Sequence, residues 1–115
     1  MENERSIKYI RHTFEECYLR AMDEPFSKTV TRIYCDGKVI QREFLGKKVT
    51  SVAQKHISKA AFEELVRKME NALHKGEFAR YCDAMSSATI VYENGKTKYF
   101  RESPLCLEIF VDTLF

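Results

Sequence analysis

The chain has 115 residues, 44% of them hydrophobic and 12% aromatic, enough for one domain with a single core and too few for two. Its formal charge of +2 and the longest apolar run, Leu105 to Leu114 interrupted by Glu108 and Asp112, exclude a strongly polyionic protein and a helix with the ~20 apolar residues of a membrane span. Met1 to Arg5 is polar and no apolar export segment follows, so the expectation is a soluble, cytoplasmic protein.

From Ile7 to Met22 the apolar residues Ile7, Ile10, Phe14, Cys17, Tyr18 and Ala21 recur at spacings of three and four, which predicts an amphipathic N-terminal helix. The alternative is a strand over Ser6 to Phe14, because Ile, Tyr, Thr and Phe favour sheets and no strong cap precedes Ile7. Asp23, Glu24 and Pro25 end either element, since Pro cannot continue a helix.

Thr29 to Phe44 reads as a β-hairpin about Asp36-Gly37, a pair suited to a type I′ turn. That turn sets Cys35 opposite Lys38, Tyr34 opposite Val39 and Ile33 opposite Ile40, and would put Ile33, Cys35, Ile40 and Phe44 on the core face. A Gly46-Lys47-Lys48 loop and a short β-like stretch, Val49 to Val52, lead to Ser58 as N-cap of a helix from Lys59 to Lys75. Phe62, Leu65, Val66, Met69, Ala72 and Leu73 form its apolar face, and Gly76 stops it.

Ala88 to Arg101 repeats the hairpin pattern about Asn94-Gly95, with Glu93 predicted opposite Lys96 and Ile90 opposite Tyr99. Ala88, Ile90, Tyr92 and Tyr99 would then share the buried side. Ser103 and Pro104 are placed at N-cap and N1 of a last helix reaching the chain end. Apolar residues nearly encircle that helix and leave Glu108 and Asp112 as a thin polar strip. The fold expected is α+β, a single domain over 1–115, with an antiparallel sheet from two hairpins interleaved with helices in a ββαββα-like order behind the N-terminal helix. Tyr34 to Lys38 and Tyr92 to Lys96 share Tyr-x-Asp/Asn-Gly-Lys, which turn chemistry alone accounts for.

No motif names a reaction. Cys17, Cys35, Cys82 and Cys106 sit far apart among apolar or aromatic neighbours with no CxxC pair, and are expected as buried free thiols. His12, His56 and His74 have no ligand spacing and no nearby Cys, so neither a metal nor another cofactor is expected; His74, in the last helical turn, complements the helix dipole. Every Gly is taken by a turn or helix end, which leaves none for a phosphate-cradling loop.

Three functional expectations remain. The first is a non-catalytic protein-interaction or self-associating domain, simplest as a homodimer, that buries Leu107, Phe110, Val111, Leu114 and Phe115 against a partner. The second is a nucleic-acid module: residues 38–75 carry nine Lys and Arg against four Asp and Glu, and Lys47, Lys48, Lys55 and Lys59 with His56 could form a basic edge. The third is a small enzyme in the 81–87 loop, where Cys82, Asp83 and Ser86 gather near Tyr81 and Ser87.

Overall fold

A computed structural model describes residues 6–16, 27–79 and 84–115, without the side chains of Leu73 and His74. The elements run β1 (Ile7–Glu16), β2 (Ser27–Tyr34), β3 (Lys38–Leu45), β4 (Lys48–His56), α1 (Lys59–Lys75), β5 (Ala84–Tyr92), β6 (Thr97–Phe100) and α2 (Leu105–Leu114). The fold is α+β, with one six-stranded sheet in the order β4-β3-β2-β1-β5-β6 and every pairing antiparallel. No helix among the described residues is long and apolar enough to cross a membrane.

The N-terminal helix is corrected to strand β1 over Ile7–Glu16; the rest of its expected span, 17–22, lies outside the described residues. The reason is tertiary. β1 lies at the centre of the sheet between β2 and β5, so both its backbone edges are hydrogen-bonded, and its inward side chains repeat every second residue at Ile10, His12 and Phe14. Ile10 and Phe14 also fit a helical spacing of four, which is why periodicity alone misleads here. The ββαββα order is likewise corrected: four strands precede α1, because the stretch read as Val49 to Val52 belongs to a nine-residue strand, β4.

Both hairpins form, each one residue out of the expected register. Ile33 pairs with Val39 and Arg32 with Ile40; Ile90 pairs with Lys98, Thr89 with Tyr99 and Ala88 with Phe100. A type I′ turn needs positive φ at both central residues, but among the described residues only glycines have positive φ. Each loop is therefore a turn closed by Gly37 N–H to Tyr34 C=O (2.9 Å) or Gly95 N–H to Tyr92 C=O (3.0 Å), with the glycine as a left-handed bulge at φ 98° or 89°. Asp36 Oδ1 and Asn94 Oδ1 accept from the N–H groups of Lys38 and Lys96, both at 3.0 Å, fixing the same loop twice.

A one-residue slip exchanges the two faces of a strand. Val39 and Phe100 are consequently buried, whereas Ile40 and Tyr99, expected in the core, point to the other side and Tyr99 is 63% exposed. Cys35, also expected inside, sits exposed in the turn.

Val39, Ile33, Ile10 and Ile90 line up across β3, β2, β1 and β5 as one buried row. Phe62, Leu65 and Met69 of α1 and Leu107 and Val111 of α2 pack on it, so both helices cover the same sheet face. Each such side chain contributes ~1.5–3 kcal/mol when fully buried. Helix α1 starts and stops as its sequence predicts: Ala61 N–H donates to Ser58 Oγ (3.0 Å), and Gly76 adopts φ 70° with its N–H on Ala72 C=O (2.7 Å).

Helix α2 begins one residue later than expected. Pro104 is its N-cap and no side chain caps it, because Ser103 is fully buried in backbone pairing: its N–H donates to Ser86 C=O (2.9 Å) and its C=O accepts from Ala79 N–H (2.8 Å). Leu105 N–H donates to Glu77 C=O (3.0 Å), so the entry to α2 is tied both to β5 and to the segment after α1.

Candidate functional site

That tether decides which way α2 faces. With Ser103 hydrogen-bonded to Ser86, the inward residues of α2 are Leu107, Glu108 and Val111, and Glu108 lies only 6% exposed. The expected polar strip is thus corrected: Asp112 meets solvent, but Glu108 turns inward onto the sheet. Burying a carboxylate is costly unless it is paired and hydrogen-bonded, and its partners here include two polar side chains of the sheet.

One partner is His12 on β1, beside Ile10 and Phe14 on the helix-covered face and 4% exposed. The other is Ser86 on β5, directly opposite Phe14 and one step diagonal from His12. His12 Nε2 contacts Glu108 Oε2 and lies 2.9 Å from Ser86 Oγ, while Ser86 Oγ donates to Glu108 Oε2 at 2.5 Å. Beside them, across β2 and β3, Gln41 Nε2 donates to the buried Thr31 Oγ1 at 3.0 Å.

The pattern differs from a nucleophilic triad in one decisive respect. A relay uses both imidazole nitrogens, one for the serine and one for the acid. Here serine and acid converge on Nε2, and Ser86 gives its own proton to Glu108, so no base stands free to activate it. In the tautomer that carries its proton on Nε2 and donates it to the carboxylate, Nδ1 is an acceptor. Nδ1 is buried and has no hydrogen-bond partner among the described residues.

His12 and Glu108 line one wall of a cavity of about 420 Å³ between α2 and the sheet, with Ser86 behind them. Glu43 and Asp112 stand at its exposed rim, and Phe14 and Phe115 bring aromatic rings. A larger cavity of about 530 Å³ at the opposite end of the sheet is lined by exposed Lys59, Glu63 and Glu93 and by no buried polar side chain. Among the described residues no group of three His, Cys, Asp or Glu side chains is placed to hold a metal ion.

Of the loop residues singled out from sequence, Ser86 belongs to this cluster on a regular strand, while Tyr81, Cys82 and Asp83 lie outside the described residues. The lysines divide between the ends of edge strand β4. Lys48 starts it, with Lys47 in the turn before, and Lys55, with Lys59 beyond, lies about 23 Å along it. On α2, Leu107 and Val111 are buried under the protein's own sheet, Phe110 and Leu114 are half-buried, and Phe115 edges the cavity. The exposed apolar residues at this end of the chain are Leu105, Ile109 and Phe115. Among the described thiols, Cys106 is half-buried, and burial raises its pKa despite opposing backbone hydrogen bonds and the charge of Lys68.

Sequence reasoning passed over His12 and Glu108. The available signals were a histidine in the inward repeat of a strand and a carboxylate in the first turn of a largely apolar helix, where the helix dipole favours an anion. No protein-family model matches this chain, and no curated protein matches it either.

Proposed function

We propose that the protein binds a small organic cation, an ammonium or guanidinium compound with an apolar body, in the cavity between α2 and the sheet. The observation that carries this reading is the buried His12–Glu108 pair on the cavity wall, braced by Ser86, with the His12 Nδ1 unpartnered among the described residues. A buried acceptor without a partner costs about 1–3 kcal/mol, and an entering N–H group is what would relieve it. The carboxylates of Glu43 and Asp112 at the rim attract the same sign of charge, and the aromatic ring of Phe115 lines the same cavity. A volume of about 420 Å³ falls within the range of small-molecule sites. The binding is non-catalytic, since Ser86 has no free base.

Calorimetric titration with benzylamine, agmatine and putrescine, against benzyl alcohol and benzoate, tests the proposal. At least one cation binds with a sub-millimolar Kd, benzoate does not bind, and the Glu43→Gln/Asp112→Asn double variant weakens the cation at least tenfold. Equal binding of benzoate, or an unchanged affinity in the double variant, overturns it.

A further inference from the structure

The sheet face turned away from both helices has a composition unlike the rest of the surface. On β3, Lys38, Ile40, Arg42 and Phe44 alternate with the inward Val39, Gln41 and Glu43. The register carries the pattern inward, Arg42 opposite Val30, Ile40 opposite Arg32, and Arg32 opposite Arg11. Lys28, opposite Phe44, adds a further cation. The one carboxylate that β1 to β6 place on this face is Glu15, and it stands directly across from Lys28. The inward face and α2 hold Glu43, Glu108 and Asp112, whereas the outward face of β1 to β3 gathers Arg11, Lys28, Arg32, Lys38 and Arg42.

Aromatic rings are interleaved with these cations. Tyr9 and Tyr34 are cross-strand partners with ring centroids 5.4 Å apart. The Arg32 guanidinium lies 5.2 Å over the Tyr9 ring, and Lys28 Nζ lies 5.4 Å over Phe44. Tyr99, beyond Arg11 and Thr89, presents its ring to solvent at 63% exposure. Arg11 is steadied by a hydrogen bond from Nη2 to Thr89 Oγ1 (3.5 Å).

We infer that this helix-free face is a platform for single-stranded nucleic acid, with the arginines and Lys38 on the backbone phosphates and Tyr99 and the Tyr9–Tyr34 pair stacking bases. Charge complementarity requires a polyanion, and the interleaved rings select one that carries flat bases. Bases of a single strand are free to stack on a sheet, whereas those of a duplex are already stacked on each other. This surface is distinct from the Lys47 to Lys59 edge and independent of the cavity under α2. The register shift creates it, because the type I′ pairing would have turned Tyr99 and Ile40 inward.

Fluorescence anisotropy with an end-labelled mixed-sequence 20-nucleotide DNA, its duplex and the corresponding RNA tests the inference, at 50 and 200 mM salt. Single strands bind more tightly than the duplex. Four phosphate contacts, from Arg11, Arg32, Arg42 and Lys38, at a slope near 0.7 each predict a roughly 50-fold loss of affinity between the two salt levels. Tyr99→Ala, a change at an exposed side chain, weakens binding about tenfold while Tyr99→Phe retains it. Arg42→Gln lowers the salt slope by about 0.7. Lys68→Gln, on the exposed side of α1, leaves affinity within twofold. The inference is overturned by absence of saturable binding at 50 mM salt, by a duplex bound as well as single strand with Tyr99→Ala silent, by polyglutamate competing as well as the oligonucleotide, or by binding to phosphatidylserine vesicles in place of it.

Discussion

Removing the Glu108 carboxylate is the most direct test of the buried cluster. In Glu108→Ala, His12 Nε2 and Ser86 Oγ lose a shared acceptor in a setting where all three residues are at most 6% exposed. Hydrogen bonds to a charged group are worth about 1.5–3 kcal/mol each, and the loss of two leaves buried donors unpaired, a cost of about 3–5 kcal/mol. At about 4 °C per kcal/mol for a chain of this length, the melting temperature falls by roughly 12–20 °C. Ser86→Ala removes one hydrogen bond to the carboxylate and leaves the His12–Glu108 contact, so its cost is about 1.5–3 kcal/mol. The double variant His12→Leu/Glu108→Leu replaces both polar partners by apolar groups under Val111, and recovers stability to within about 2 kcal/mol of the parent. Urea denaturation followed by circular dichroism, with melting curves alongside, measures all three. If Glu108→Ala unfolds within about 1 kcal/mol of the parent, Glu108 does not sit in a paired, desolvated site and the reasoning built on it fails.

The hairpin registers predict that Phe100→Ala, at a buried position, costs about 3–5 kcal/mol, whereas Tyr99→Ala changes stability by less than about 1 kcal/mol; chemical denaturation would show the reverse order for the type I′ pairing. Gly37→Ala should destabilise more than Gly95→Ala. Both glycines have positive φ, but a Cβ at Gly37 would meet Ile57 C=O at 2.2 Å while one at Gly95 meets open space, and equal denaturation midpoints would contradict this. The partly buried Cys106 thiol, held above its ordinary pKa by desolvation, reacts more slowly with iodoacetamide than exposed Cys35, and its rate still climbs through pH 9; peptide mass spectrometry reads both, and faster labelling of Cys106 would refute its burial.

Local chemistry alone was enough to specify α1 and the location of both turns. Ser58 supplies the oxygen that a helix start needs and Gly76 the left-handed stop, and neither depends on distant residues. Asp36-Gly37 and Asn94-Gly95 mark reversals for the same reason. They do not select the turn type, since a left-handed glycine serves both a two-residue turn and a three-residue loop with a bulge, and these differ by one residue of register. The choice falls to what each register buries: Val39 and Phe100 against α1 and α2, in place of Ile40 and Tyr99. The strand identity of residues 7–16 was also decided at the tertiary level, by two neighbours that pair both backbone edges of β1. Glu108 makes the same point at the candidate site. Sequence spacing puts it on the polar strip of a helix, but the rotation of that helix is fixed by Ser103 pairing with Ser86, and a carboxylate turned inward is tolerable because polar partners, His12 and Ser86 among them, arrive to meet it from 96 and 22 residues away in sequence. Caps and turns lie within a few residues of their causes and can be read along the chain; register, helix rotation and buried polar pairing depend on which distant surfaces meet, and only the folded chain settles them.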